Sequence, residues 1–265
     1  GILRLINFAH GDVFMVAGIL MVYLNATGLP LYVTLPLSVV LTIMIGFLIE
    51  RAAYKPLRSA PRMSIMISAI GVSYFLQNIV LYVTGGLNKV YPTVPWISQS
   101  VSVFGATTKM VTLVTPVLTL ILVILLVLLI NHTKVGMAMR AVSKDFETSQ
   151  LMGVKINAVI STTFVIGSFL AAIGSILYFT NYNTVIQTSG AMPGLKAFVA
   201  AVFGGIGSIP GAVVGGIMLG VVEIMAVAFL PDLAGYRDAF AFVLLIVILL
   251  IKPTGLMGSR PEDKV

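Results

Sequence analysis

The chain reads as long apolar runs separated by short polar stretches. The first run follows Asp12 and ends near Leu24, which is short for a crossing unless residues 2–10 extend it. Further runs lie at about 31–49, 64–83, 110–130, 157–178, 212–230 and 238–251, with a shorter apolar piece at 195–203. A helix needs about 20 apolar residues to cross roughly 30 Å of hydrocarbon at about 1.5 Å of rise per residue. None of the runs alternates in ten-residue segments as the strands of an outer-membrane barrel do. The pattern predicts an all-α integral membrane protein: a polytopic bundle of about eight transmembrane helices, some short or broken, organised as one domain over residues 1–265.

Composition agrees. Of 265 residues 58% are hydrophobic and only 9% are charged, against about 25% charged in a soluble domain, which needs that charge to keep its surface wet. Most of this surface therefore faces lipid. The net charge of +7 comes from Lys and Arg placed mainly in the short loops, so it reads as topology signal and headgroup contact, not as a nucleic-acid surface. There is no cysteine, which excludes disulfides and thiolate metal sites. Residue 1 is Gly, not Met, and the expectation is that the chain begins inside a longer product, with any earlier helix out of view.

The basic residues orient the bundle. Loop 50–62 carries Arg51, Lys55, Arg58 and Arg62, and loop 132–155 carries Lys134, Arg140, Lys144 and Lys155. The tail carries Lys252, Arg260 and Lys264. The polar connection 84–109, which holds Trp96, has only Lys89 and Lys109, and 179–194 has none. The positive-inside rule places both basic loops and the C-terminus in the cytoplasm and the Trp96 loop outside.

Three stretches carry more than topology. Residues 136–157 are too polar for lipid and too patterned for a slack linker. Ser143 is placed to cap a short helix, Asp145 and Glu147 fall in its first turn, Phe146, Leu151 and Met152 give it an apolar edge, and Gly153 suits its left-handed end. Two readings are open: a docking element for a partner, or an amphipathic helix resting on headgroups.

The second stretch is INFAHGD, residues 6–12, where Asn7, His10, Gly11 and Asp12 stand at the edge of an apolar run. Polar groups at membrane depth are costly unless they pair or line a cavity. A helix break here would offer backbone groups and a helix N-terminus to a zwitterionic solute. The alternative is a surface helix start capped by Asp12. Metal binding by His10 and Asp12 is disfavoured, because the chain has only one other histidine and no cysteine.

The third is FGGIGSIPGAVVGGIMLG, residues 203–220, with Gly207, Gly211 and Gly215 at every fourth position and Pro210 interrupting any continuous helix. Such spacing permits close helix approach. The open alternative is a short, broken segment that joins residues 6–12 in bordering a solute path. No Gly-Lys-Ser/Thr follows, so the pattern is not a phosphate loop. Glu223, inside the seventh run, is expected to face protein, either on the path or against a helix of a partner subunit. Gln77 and Asn78 are weaker candidates for the path and read by default as polar glue between helices.

Glu147-Thr148-Ser149, three residues, then Gly153 resembles the EAA motif of ABC importer permeases, with the Glu and Gly kept and both alanines replaced by hydroxyl residues. RLINFAHGDVFMVAG (4–18), ERAAYKPLR (50–58), ISAIGVSYFLQN (67–78), VGMAMRAV (135–142), KAFVAAVFGGIGSIPGAVVGGIMLG (196–220) and KPTGLMG (252–258) resemble LivH-type permeases of branched-chain amino acid ABC importers across essentially the whole chain. The resemblance implies a helix missing before Gly1. It implies that residues 144–153 (Lys144, Asp145, Phe146, Glu147, Ser149, Leu151, Met152 and Gly153 among them) dock in a groove on an ATPase. It further implies a second related permease, two ATP-binding subunits that alone bind and hydrolyse ATP, and an external solute-binding protein that contacts loops 84–109 and 179–194. The location implied is the cytoplasmic membrane of a prokaryote, and the solutes are leucine, isoleucine and valine, or in related permeases other amino acids, urea or short amides.

Two other classes compete. An ion-coupled secondary transporter would need intramembrane ionisable groups, and Asp12 and Glu223 are the main ones present. A membrane-embedded enzyme would need clustered catalytic side chains, and none is readable with two separated histidines and sparse carboxylates.

Overall fold

The computed structural model describes residues 7–58, 60–103 and 105–258. Any contribution of residues 2–6 to the first run, and the tail cations Arg260 and Lys264, lie outside the described residues. The chain divides into two compact units, with the boundary between Gly194 and Leu195.

The first unit opens with α1 (His10–Ala26) and α2 (Leu31–Ile49), and α2 continues into a π turn, Glu50–Tyr54, and a 3-10 turn, Lys55–Leu57. Next come α3 (Arg62–Thr84), β1 (Lys89–Val90), the short α4 (Pro95–Ser98), and β2 (Ser100–Val103) with β3 (Ala106–Lys109). There follow α5 (Met110–His132), α6 (Lys134–Lys144), α7 (Phe146–Leu151), α8 (Ile156–Tyr182) and β4 (Thr184–Val185). Helix α9 (Ala191–Gly204) begins in this unit and ends in the other. The second unit continues with α10 (Ile209–Phe229), a 3-10 turn at Pro231–Tyr236, and α11 (Arg237–Ile251).

Among the described residues, six helical segments are long and apolar enough to cross a bilayer, and α1 and α9 are shorter apolar helices. This is the expected architecture, an all-α polytopic bundle with two short members. The strands are peripheral. β2 and β3 form a hairpin inside the 84–109 connection, and β1 pairs antiparallel with β4, setting Lys89 opposite Val185. That pair fastens the 84–109 connection to the segment after α8.

Helix α1 is the axis of the first unit and packs against α2, α3 and α8. It is buried on most of its circumference, with Val13, Met15, Ala17, Ile19 and Met21 at 5% exposure or less. Helix α2 shows why lipid inverts the soluble pattern. Its buried positions are Thr34, Ser38, Thr42 and Gly46, spaced four apart, with Ile49 at its end, whereas Tyr32, Val40, Met44 and Leu48 are exposed. Apolar side chains gain nothing by leaving lipid tails, so interhelical faces select small residues that let backbones approach. Each hydroxyl is satisfied within the helix; Thr42, for example, donates to Ser38 O at 2.7 Å. Gly46 makes room for α8: a Cβ there would lie 2.7 Å from Ser168 Cβ.

In the second unit the expected break lies earlier than Pro210. Helix α9 ends at Gly204, Gly205 and Gly207 take φ of +110° and +99°, and Ser208 caps α10 by accepting from Gly211 N at 3.0 Å. Pro210 sits in the first turn of α10, where its missing N–H costs nothing, so it starts a helix and does not interrupt one. Gly207 is consequently not on the helical glycine face. Gly211 and Gly215 are, and a Cβ on either would press on the Gly204 backbone at 3.0 Å. The open carbonyl end of α9 is closed by the tail: Leu256 N donates to Phe203 O and Met257 N to Gly204 O, both at 2.9 Å.

Candidate functional site

The 7–12 segment is a true helix entry. Asn7 Oδ1 accepts from Ala9 N at 3.1 Å and from Tyr54 OH at 2.6 Å. Helix α1 begins at His10 with Ala9 at its cap position and no side-chain cap, so Asp12 does not cap it. Asp12 instead lies in the first turn, where the helix dipole favours a carboxylate. It is 2% exposed, and its Oδ1 accepts from Gln77 Nε2 of α3 at 2.9 Å.

Gly11 brings backbone against backbone. A Cβ at Gly11 would stand 2.9 Å from Gly194 Cα and would overlap the Gly190 carbonyl. The turn before α9 is thereby pressed onto the first turn of α1. His10 points toward α8, where a Cβ at Gly167 would lie 3.6 Å from its Cε1. The structure thus gathers Asp12 with Gln77, and Gly11 with the entry to α9, while Asn7 turns to Tyr54. Asn78 does not join them. It is exposed on α3 and donates to Tyr74 O of its own helix at 2.8 Å.

The 132–155 stretch is an elbow of two helices. Thr133 caps α6 by accepting from Gly136 N at 3.0 Å. The capping residue of α7 is Asp145, not Ser143: Asp145 Oδ1 accepts from Thr148 N at 3.1 Å. Ser143 lies within α6 and donates to Arg140 O at 2.8 Å. The backbone N–H that ends α6, that of Asp145 to Ala141 O, leaves Asp145 extended at φ −148°, the geometry a cap requires. Ser149 is buried and ties α7 back to Asp145 O at 2.6 Å. Gly153 turns the chain toward α8 with φ of +80°, as its position at the helix end predicts. Lys144 and Glu147 are exposed, and Phe146, Leu151 and Met152 present apolar surface at 44%, 87% and 80% exposure.

Two charge clusters complete the geometry. In the first unit, Glu50 is fully buried in the π turn; it accepts from Arg58 and, at 2.8 Å, from Ser161 Oγ of α8, and Arg58 also donates to Asn157 Oδ1. In the second unit, Lys196 of α9 lies 2.8 Å from Glu223 Oε2 of α10 and 2.7 Å from Asp238 Oδ1 of α11. Charges at membrane depth are tolerable when paired in this way. Among the described residues no three His, Asp or Glu side chains converge as metal ligands.

The model of one protein family, described as branched-chain amino acid transport system / permease component, matches residues 1–249. The chain belongs to that family. The high-affinity branched-chain amino acid transport system permease protein BraD of Pseudomonas aeruginosa is 39% identical over all of this chain and 90% of its own length. The permease proteins named LivH of Salmonella typhimurium and Escherichia coli K12 are 38% and 37% identical, each over all of this chain and 89% of their own length. No solved structure matches it. With six long and two short apolar helices among its described residues, this permease is a multi-pass membrane component of a transport system.

Sequence reading missed both charge clusters in the permease. For the second, Lys196 was masked by its apolar surroundings, although a lone cation in one apolar run and a lone carboxylate, Glu223, in the next signal a pair. The first joins residues on either side of a hundred-residue gap, and only the packing of α2 on α8 makes them neighbours.

Proposed function

We propose that this chain is a permease subunit of an ATP-driven importer that carries branched-chain amino acids across the cytoplasmic membrane of a prokaryote. It acts as a single permease domain beside a second related permease. Two partner subunits bind and hydrolyse ATP, and an external protein delivers the solute. What supports this most directly is the elbow: α7 is capped, tethered at both ends, and yet presents Phe146, Leu151 and Met152 uncovered. A rigid helix with an exposed apolar edge suits a groove on a soluble partner better than it suits water. In this reading Lys144–Gly153 is the ATPase contact, and the elbow and the C-terminus lie in the cytoplasm with the basic loops.

The solute path is assigned to the entry of α1, with Asn7, His10, Gly11, Asp12 and Gln77 as its polar lining. The pairing of Glu223 with Lys196 supports the ATP-driven reading over an ion-coupled one, since the carboxylate already has a cation of the same unit as its partner and does not stand open to a coupling ion.

The test is purification with the neighbouring ATPase subunits, followed by uptake of labelled leucine, isoleucine and valine into proteoliposomes with the cognate binding protein. Uptake that needs ATP and binding protein is expected, and Gly153→Pro should insert normally yet lose coupling. Uptake driven by an ion gradient without ATP would overturn the proposal.

A further inference from the structure

The buried Glu50 cluster lies between the elbow and the entry of α1, and each link in that span is visible. Helix α8 begins three residues after Gly153, so the elbow and the first turn of α8 are continuous. Phe146 and Gln150 of α7 and Arg58, Lys155 and Asn157 wall one cleft. Arg58 grips Asn157, in the first turn of α8, and Glu50. Glu50 opens the π turn, and Tyr54 closes it. Tyr54 is 3% exposed, packs on Phe164 of α8 with ring centroids 4.9 Å apart, and donates to Asn7 Oδ1 ahead of α1. From α3, Ser68 Oγ donates to Ala53 O in the same turn at 3.3 Å.

We infer that Glu50, Arg58 and Tyr54 are positioning residues that transmit displacement of the α6–α7 elbow through the π turn to the polar entry of α1. The inference rests on the proposed ATPase docking at the elbow. Three physical points carry it. First, a buried carboxylate bound to a guanidinium is expensive to desolvate and is weak evidence of stabilisation for its own sake. Here it is satisfied at both oxygens by α8 and by the end of the α2 segment, so it fixes how those two move together. Second, the bonds are side chain to side chain across three elements, so a shift of Asn157 cannot occur without moving Arg58 or breaking its bond. Third, the device at the centre is a π turn, which carries one residue more per hydrogen-bonded turn than α geometry and tends to mark functional sites. Its reversion to α geometry would reset Tyr54 and Arg58 against α8 while α2 stays in place. Such a reversion would supply the second discrete arrangement that transmission between distant sites requires.

The experiment uses the full assembly of permease subunits, ATPases and binding protein in proteoliposomes. It measures ATP hydrolysed and solute moved for wild type, Glu50→Gln, Glu50→Asp and Tyr54→Phe. The expected result for Glu50→Gln and Tyr54→Phe is assembled complex that hydrolyses ATP while solute moved per ATP falls about fivefold or more; Glu50→Asp, which keeps the charge, should recover part of the loss. Wild-type coupling in both variants would overturn the inference. So would a Glu50→Gln subunit that fails to assemble beside a fully coupled Tyr54→Phe, since Glu50 would then only hold the fold. A wild-type preparation that contains no ATPase, or ignores ATP, is a failure of the docking reading and is seen before any variant is compared.

Discussion

Asp12 Oδ1 accepts a hydrogen bond from Gln77 Nε2 at 2.9 Å, which joins the first turn of α1 to the middle of α3 through a carboxylate that is 2% exposed. A buried acceptor that loses a donor costs about 1–3 kcal/mol. Gln77→Leu is therefore expected to lower the thermal unfolding midpoint in detergent. Asn78→Leu, next along the chain but exposed and bonded only to its own helix, should leave it nearly unchanged. Equal effects would mean that the Asp12 contact adds no stability.

Gly11 is occupied by backbone rather than by side chains. Gly11→Ala forces a methyl group into the Gly190 carbonyl and should cost about 1–3 kcal/mol or more, because backbone has less room to yield than a flexible side chain. Gly71→Ala in α3 meets nothing within 4 Å and should be neutral or stabilising by up to about 1 kcal/mol from helix propensity. The yield of monodisperse protein on size-exclusion chromatography separates the two.

Lys196 serves two carboxylates, with side-chain exposures of 27% for the lysine, 17% for Glu223 and 32% for Asp238. Lys196→Met leaves two like charges facing each other. The expected loss is about 2 kcal/mol, below the 3–5 kcal/mol of a fully buried pair because these groups keep some exposure. Adding Glu223→Gln should restore part of the stability. A double variant that melts as low as the single one would show that repulsion is not the cause.

Asp145, not Ser143, carries the cap of α7. Asp145→Ala should cost the helix about 1 kcal/mol, read as roughly fivefold faster hydrogen exchange at the amide of Thr148. Ser143→Ala should not change exchange there.

The sequence made the spans legible because apolar length is a local property. The expected 31–49 run and the observed α2 have the same limits, and α3, α5, α10 and α11 differ from expectation by three residues or fewer at each end. The elbow was legible in outline, since acidic residues near a helix start and a glycine past its end are also local signals. The cap was misplaced by two residues because Ser and Asp are both good caps, and the choice between them depended on where α6 stops. The Thr34, Ser38, Thr42 and Gly46 stripe was readable in principle from its spacing of four, but in an apolar run the eye follows the large residues, and those face outward here. What stayed hidden were partners far apart in sequence: Asn7 with Tyr54, Asp12 with Gln77, Glu50 with Ser161, Lys196 with Asp238. Each needs two helices to be set side by side before the bond exists.

The bonds from Leu256 and Met257 to the last carbonyls of α9 impose an order on biogenesis. Helix α9 leaves the ribosome before α10 and α11, yet its last two carbonyls, those of Phe203 and Gly204, lack these backbone donors until the chain beyond α11 has emerged. During synthesis this helix end must be served by water or by the insertion machinery. The closing residues of the described chain thus act as a late clasp, and the second unit is finished only when they arrive.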